Sequence, residues 1–225
     1  MQGQNARRFL RKHPHKVCVA AITLPDDQFS ALHHRRCGVR TADADARMAA
    51  RSSAGARDNS MIGQGQYYRL LTAMLLHIGL VHLLCNCFSL NTVGPIVEML
   101  FGTERMVITY ILASLGGNLL SFSLNQASSM GASGVVFGLV GAFGVYVLRH
   151  RELYGKRSDR TLNSIMKTCL LNVCIGLIPC MRINNCGHLG GAVVGATVGY
   201  LFGPNLIKTR WGLVDQPLIA IPSLR

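Results

Sequence analysis

Ser133 stands as the single hydroxyl in MGASGVVFGLVGAFG, the apolar run from Met130 to Gly144. A serine is a weak nucleophile until a neighbouring base takes its proton. A candidate base enters another apolar run, His188 in GHLGG (Gly187–Gly191). Ionisable groups inside apolar segments are costly and mark candidate functional positions. His82 and Asn86 stand four residues apart, hence on one helical face, and both can donate hydrogen bonds to a developing oxyanion. Together these types make a nucleophilic acyl-transfer constellation. No Asp or Glu accompanies them, so the sequence predicts a Ser133–His188 dyad, with the imidazole oriented by packing and Phe137, one turn below Ser133, stacked on it. His77 precedes the pair and is expected to brace the segment before His82. The competing reading of each residue is structural: Gly134 and Gly138 form a GxxxG packing surface, and buried histidines or asparagines pin helices together.

The elements that must position these groups read as membrane helices. No Asp, Glu, Lys or Arg occurs from Leu70 to Val97, Met106 to Leu148, or Ile183 to Ile207, and each run exceeds the roughly 20 residues a crossing needs. An all-α, polytopic transmembrane bundle follows, with five visible crossings at about 80–99, 106–124, 131–148, 165–179 and 187–202. Lys167 and Asn172 interrupt the fourth. Gly191, Gly195 and Gly199 recur every fourth residue and leave a bare stripe on the His188 side. That stripe is expected to meet Gly134, Gly138 and Gly141 and bring hydroxyl and imidazole together. The basic loop carrying Arg149, Arg151, Lys156, Arg157 and Arg160 is expected on the cytosolic or equivalent side. Alternation then puts His82, Asn86, Ser133 and His188 in the opposite leaflet.

Outside the core 67–204, residues 1–66 are basic and weakly patterned, expected as a disordered extension or targeting segment. Residues 205–225 are expected as a surface tail. Eleven of the 23 Lys and Arg residues precede Tyr67. Basic clusters that flank apolar runs suit lipid headgroups and argue against nucleic acid. The eight cysteines lack metal-type spacing, so neither metal, cofactor nor disulfide framework is expected. Five crossings leave the basic N-terminal segment outside, against the positive-inside tendency, which a further crossing before Tyr67 would repair.

HLLCN (His82, Asn86), GASG (Gly131–Gly134) and GHLGG (Gly187–Gly191), in this order, resemble the motifs of the rhomboid intramembrane serine proteases. EMLFG (Glu98–Gly102) is similar to that family's E-x-x-x-G, and YYR ending at Arg69 to its Trp-Arg loop motif, over about 66–204. The resemblance implies Ser133 as nucleophile and His188 as general base. It implies His82, Asn86 and the Ser133 backbone N–H as the oxyanion hole, with Gly131, Gly134, Phe137, Gly187, Gly191 and His77 supporting. It implies transmembrane protein substrates within the lipid bilayer. The family's first helix is expected to be missing, Tyr68 stands for its tryptophan, and Asn184 and Cys186 stand where relatives often carry Asp and Trp. The RHRELYG loop, RINNCGHLGG and the DQPLIAIP tail look most like chloroplast-type rhomboids of plants and algae, which implies a chloroplast envelope or other organellar membrane. The alternative is a catalytically impaired rhomboid-like protein that binds membrane helices without cutting them.

Overall fold

The computed structural model describes residues 22–24, 50, 52–177 and 183–220. Five long helices carry the fold: α3 (Gly79–Phe101), α4 (Thr103–Leu124), α5 (Ser133–Arg149), α7 (Lys156–Gly176) and α8 (Asn185–Leu201). Three short ones, α1 (Asn59–Gly63), α2 (Arg69–Thr72) and α6 (Arg151–Tyr154), lie between and before them. Strand β1 (Ile22–Leu24) pairs in parallel with β2 (Leu76–Ile78), and β3 (Leu206–Thr209) forms an antiparallel hairpin with β4 (Gly212–Asp215).

Burial along these helices is inverted relative to a protein in water. Thr109, Ser114, Ser121, Asn86 and His188 are buried, whereas Leu80, Leu84 and Phe88 form an outward stripe at four-residue spacing. Leu189 and Val193 do the same on α8. In water such stripes would drive association; against acyl chains they are the expected surface. Helices α3 and α4 are each long and apolar enough to cross a membrane, and α5 is apolar but shorter.

Four of the five expected crossings agree with helices to within three residues at either end. The fourth differs at its start: α7 begins at Lys156, so the charged stretch before Ile165 belongs to the same helix. Its outward side carries Met166, Leu170, Leu171, Val173 and Leu177. At 100° per residue Asn172 lies off this side, whereas the exposed Lys167 falls on it between Leu170 and Leu171. Pro179 lies outside the described residues.

Most of the 1–66 segment, expected as disordered, also lies outside the described residues. Its last part is folded. Asp58 caps α1 by accepting from the N–H groups of Ser60 and Met61, Ala56, Arg57 and Ile62 are buried, and Arg57 is wholly inaccessible. Low hydropathy hid this because the segment folds through polar contacts. The Arg57 guanidinium donates through Nε to Ser129 Oγ at 2.8 Å and through Nη1 to the Asn125 carbonyl at 3.3 Å. It also bonds Asn59 Oδ1 and the Ala127 carbonyl. Burial lowers its pKa, and Asp58 opposes that shift.

The apolar core fills one half of the bundle, where Leu90, Val93, Val97 and Phe101 of α3 meet Met106 of α4 and Leu139, Ala142, Tyr146 and Val147 of α5. The other half is closed by backbone contact. A Cβ on Gly191 would collide with the Gly134 carbonyl, and one on Gly195 with that of Gly138. Gly199 sits on Ala142, whereas Gly141, expected opposite the stripe, faces the Ala192 carbonyl. Helix α8 also touches α4, where a Cβ on Gly117 would stand 2.6 Å from the Gly187 carbonyl oxygen. Between α3 and α4, Gly102 (φ +81°) turns the chain, and the Thr103 hydroxyl donates to Glu98 Oε1 at 2.9 Å. Glu98 and Gly102 of EMLFG thus form a tight reversal.

Candidate active site

Ser133 opens α5 and His188 lies in the first turn of α8. Because the two helices meet glycine against glycine immediately below, Ser133 Oγ and His188 Nε2 lie 2.9 Å apart. His188 Nδ1 is buried without a hydrogen-bond partner, so among the described residues no carboxylate orients the ring. Packing does so instead: the Phe137 ring lies 4.3 Å away, 13° from parallel. With the proton on Nδ1, Nε2 can accept from the hydroxyl, the arrangement a serine needs to attack a carbonyl.

A small cavity of about 30 Å³ beside the pair is lined by Ser114, Asn118, Ser133 and His188, among others. That is room for a water or two. Ser114 Oγ is buried and unpartnered in the protein, so a water held there would meet a free polar group. Asn118 is fixed by donating to the Leu70 carbonyl at 2.9 Å.

His82 and Asn86 stand on one face of α3, and Asn86 is buried. His82 packs its ring on Gly131, whose φ is +131° and where a Cβ would stand 2.6 Å from His82 Cε1. The N–H of Ile78 donates to His82 Nδ1 at 3.4 Å, which leaves Nε2 as the N–H donor on the Gly131 side. The Asn86 amide is turned into its own helix, donating to the His82 carbonyl at 3.0 Å. Neither residue lines the cavity. That bond uses one of the two amide hydrogens, and the second remains available as a donor.

His77 is buried, its ring centroid 5.3 Å from that of His82. Its Nε2 accepts the N–H of Ala132 at 3.4 Å, and Gly131 N–H donates to the Ala73 carbonyl at 2.9 Å. His77 thus braces the loop that presents Ser133 as well as the segment before His82. Burial lowers the His77 pKa, and a backbone hydrogen bond at Leu75 opposes the shift. At the first turn of α5 the N–H of Ser133 has no carbonyl one turn earlier within the helix to bond, so it is available to an oxygen above it.

Two residues outside the expected set complete the mouth. Asn184 caps α8, its Oδ1 accepting from Gly187 N–H at 3.0 Å. Its Nδ2 donates to Ser121 Oγ at 2.7 Å and Ser129 Oγ at 3.1 Å. Ser129 in turn receives Arg57, so one polar chain joins the entry of α8, the end of α4 and the loop before Ser133. An Asn three residues before the Gly187–His188 pair is a recognisable cap signal. Nothing in the sequence around Arg57 marks it.

Residues 64–205 match the family described as Rhomboid domain. The chain is 37% identical over 142 residues to Rhomboid protease GluP of Bacillus subtilis (strain 168), covering 63% of this chain and 27% of that protein. It is 35% identical over 164 residues to RHOMBOID-like protein 1 of Arabidopsis thaliana, covering 72% of this chain and 41% of that one. With RHOMBOID-like protein 6, mitochondrial, of the same plant it shares 36% identity over 149 residues, 65% of this chain and 48% of the relative. The chain thus spans between about a quarter and about half of these relatives' lengths.

Proposed function

The chain belongs to the rhomboid family, an integral, polytopic helical membrane fold, and we propose that it is an intramembrane serine protease acting through a Ser133–His188 dyad. The observation that supports this reading best is the 2.9 Å approach of Oγ to Nε2 at one end of an apolar bundle, beside a cavity that admits water. In this reading His188 takes the Ser133 proton as Oγ attacks a substrate carbonyl. The oxyanion meets the Ser133 N–H, His82 and the second amide hydrogen of Asn86. His188 then protonates the leaving amine, and a water activated by the same ring releases the acyl group. Phe137 holds the imidazole, Gly134, Gly187 and Gly191 hold the helices close, and Gly131 gives His82 its place. The reaction needs no metal or cofactor. Substrates are membrane proteins whose helices unwind locally to present a peptide bond at the site's depth.

Ser133→Ala should abolish cleavage of a transmembrane reporter in liposomes, and His188→Ala should abolish labelling by a fluorophosphonate. Undiminished cutting by the serine variant would refute the dyad. A wild-type chain that retains reporter helices in pull-down and never cuts them would instead establish the impaired, helix-binding alternative. For location we propose an organellar membrane, the chloroplast envelope first; a fluorescent fusion confined to mitochondria would overturn the chloroplast assignment.

A further inference from the structure

Trp211 is the sole tryptophan of the chain and is 92% exposed at the tip of the β3–β4 hairpin. The hairpin is built firmly. Leu206 N–H donates to His150 Nε2 at 2.8 Å, and Arg105 pairs with Asp215 at 2.7 Å. At the tip, Thr209 Oγ1 donates to the Gly212 carbonyl at 2.8 Å and receives the Trp211 N–H at 3.3 Å. Yet Ile207, Leu213 and Val214 are exposed as well, and the register pairs Ile207 with Val214 and Lys208 with Leu213. Apolar side chains therefore occupy both faces. Leu206 at the base packs against the apolar core, but the rest of the hairpin has no covered face. A two-stranded hairpin exposed in this way is marginal in water, so this one implies something lying against its outer part.

Its place in the fold says what. The hairpin base is tied to His150 at the end of α5 and to Arg105 at the start of α4. Ser133 opens the other end of α5, 17 residues away, about 25 Å at 1.5 Å rise per residue. The hairpin thus hangs at the bundle end opposite the catalytic mouth, close to one hydrocarbon thickness away. Exposed aromatics mark both ends: Tyr67 and Tyr68 near the mouth, and Tyr154, Tyr200 and Trp211 at the far end. Such belts sit at the two membrane–water interfaces. The far end is also basic. Lys156, Arg157, Arg160, Lys208 and Arg210 are exposed there, against the acidic Glu98, Glu104, Glu152, Asp159 and Asp215, of which Asp159 pairs with Arg151 and Asp215 with Arg105. The Arg149 guanidinium lies 4.5 Å from the centre of the Tyr200 ring.

We propose that the β3–β4 hairpin is a membrane-interface anchor, which lays Trp211 at the acyl–headgroup boundary and Lys208 and Arg210 against anionic lipid headgroups. It goes beyond the protease reading and does not depend on catalysis. Its role is to fix the depth and tilt of the bundle from the side away from the site. Each basic side chain near an anionic surface is expected to shift the docked-to-undocked ratio about fivefold.

The native tryptophan is the probe. The full chain is reconstituted in vesicles of phosphatidylcholine and phosphatidylglycerol, with bromine placed near the head of the acyl chains in one set. Expected is a blue-shifted emission that loses most of its intensity to bromolipid and is shielded from aqueous iodide on both leaflets. Lys208→Glu with Arg210→Glu, or vesicles of phosphatidylcholine alone, should weaken bromolipid quenching and restore iodide access. Emission open to iodide and blind to bromolipid would overturn the proposal by placing the hairpin in water. Shielding from both quenchers would also overturn it, by placing Trp211 against a second copy of the chain. Loss of proteolysis with the quenching pattern intact would instead count against the dyad and leave the anchor standing.

Discussion

Gly191→Ala probes the idea that bare backbone contact sets the catalytic distance. A Cβ at this position would collide with the Gly134 carbonyl oxygen and stand 2.8 Å from its carbon and 3.1 Å from the Gly134 Cα. Ordinary contact begins at 3.4 Å, so the helices must separate by at least 3.4 − 2.8 = 0.6 Å. Neither partner is a flexible side chain that could swing aside. Gly191 lies one turn beyond His188 and Gly134 directly follows Ser133, so the opening acts at the dyad itself. Added to the 2.9 Å approach, it gives about 3.5 Å, past the usual limit of a hydrogen bond. A misplacement of about 1 Å can cost a hundredfold in rate, so cleavage of a transmembrane reporter should fall about ten- to a hundredfold. Leu189→Ala changes an exposed position on the same helix and should leave the rate within twofold of wild type, by the small effect of surface substitutions. Thermal unfolding of both variants in detergent separates a displaced dyad from a lost fold. If the Gly191 variant cuts at the wild-type rate while Ser133→Ala is inert, close glycine packing does not set the catalytic distance.

Gly131→Ala forces a side chain onto a left-handed backbone and into the His82 ring; cleavage should drop about 10²-fold, the cost of losing one oxyanion donor, as measured by single-turnover cleavage. Arg57→Ala leaves Asn59 Oδ1 and the Ala127 carbonyl without this donor, and Ser129 and the Asn125 carbonyl with one donor each in place of two; it should lower stability by about 3 kcal/mol, read as a lowered Tm. Arg57→Lys should recover little of it, since an ammonium cannot span the same fork of acceptors. His77 carries a pKa held below 6.5 by burial. As pH falls below 6.5 the unfolded chain takes up a proton that the folded site refuses, so stability decreases until the lowered native value is passed. His77→Gln should flatten that part of the Tm–pH curve relative to wild type; an unchanged slope would show that His77 titrates alike in both states.

Ser133, His188 and Phe137 were legible in the sequence because a membrane helix is a plain background. One hydroxyl, one imidazole and a four-residue glycine period stand out against it and fix which faces meet. The direction of the Asn86 amide was not legible: a bond to the carbonyl four residues back competes locally with pointing outward, and spacing does not choose between them. Hydropathy does not mark the start of α7, because it reports the surroundings of a helix rather than its backbone. Lys156 to Asn163 is polar but contains no glycine or proline, so the helix simply continues out of its apolar part. Arg57 was invisible for another reason. Its partners lie as many as 72 residues away and two of them are main-chain carbonyls, groups every residue carries. Gly141 shows a finer limit: the four-residue repeat of α8 meets Gly134, Gly138 and Ala142, so the register is completed by an alanine, and the glycine one residue earlier falls beside the stripe.

The amide of Asn184 has a consequence for which residues that position can hold. Its two donors go to serine oxygens, and a hydroxyl can turn to give a proton as readily as to receive one. A carboxylate placed there would keep the protons of Gly187 and Asn125 and gain those of Ser121 and Ser129 after two rotations. The guanidinium behind Ser129 would offset the new charge. Exchange of aspartate for asparagine should therefore cost little at this junction, because the surrounding alcohols can reverse polarity without any heavy atom changing place.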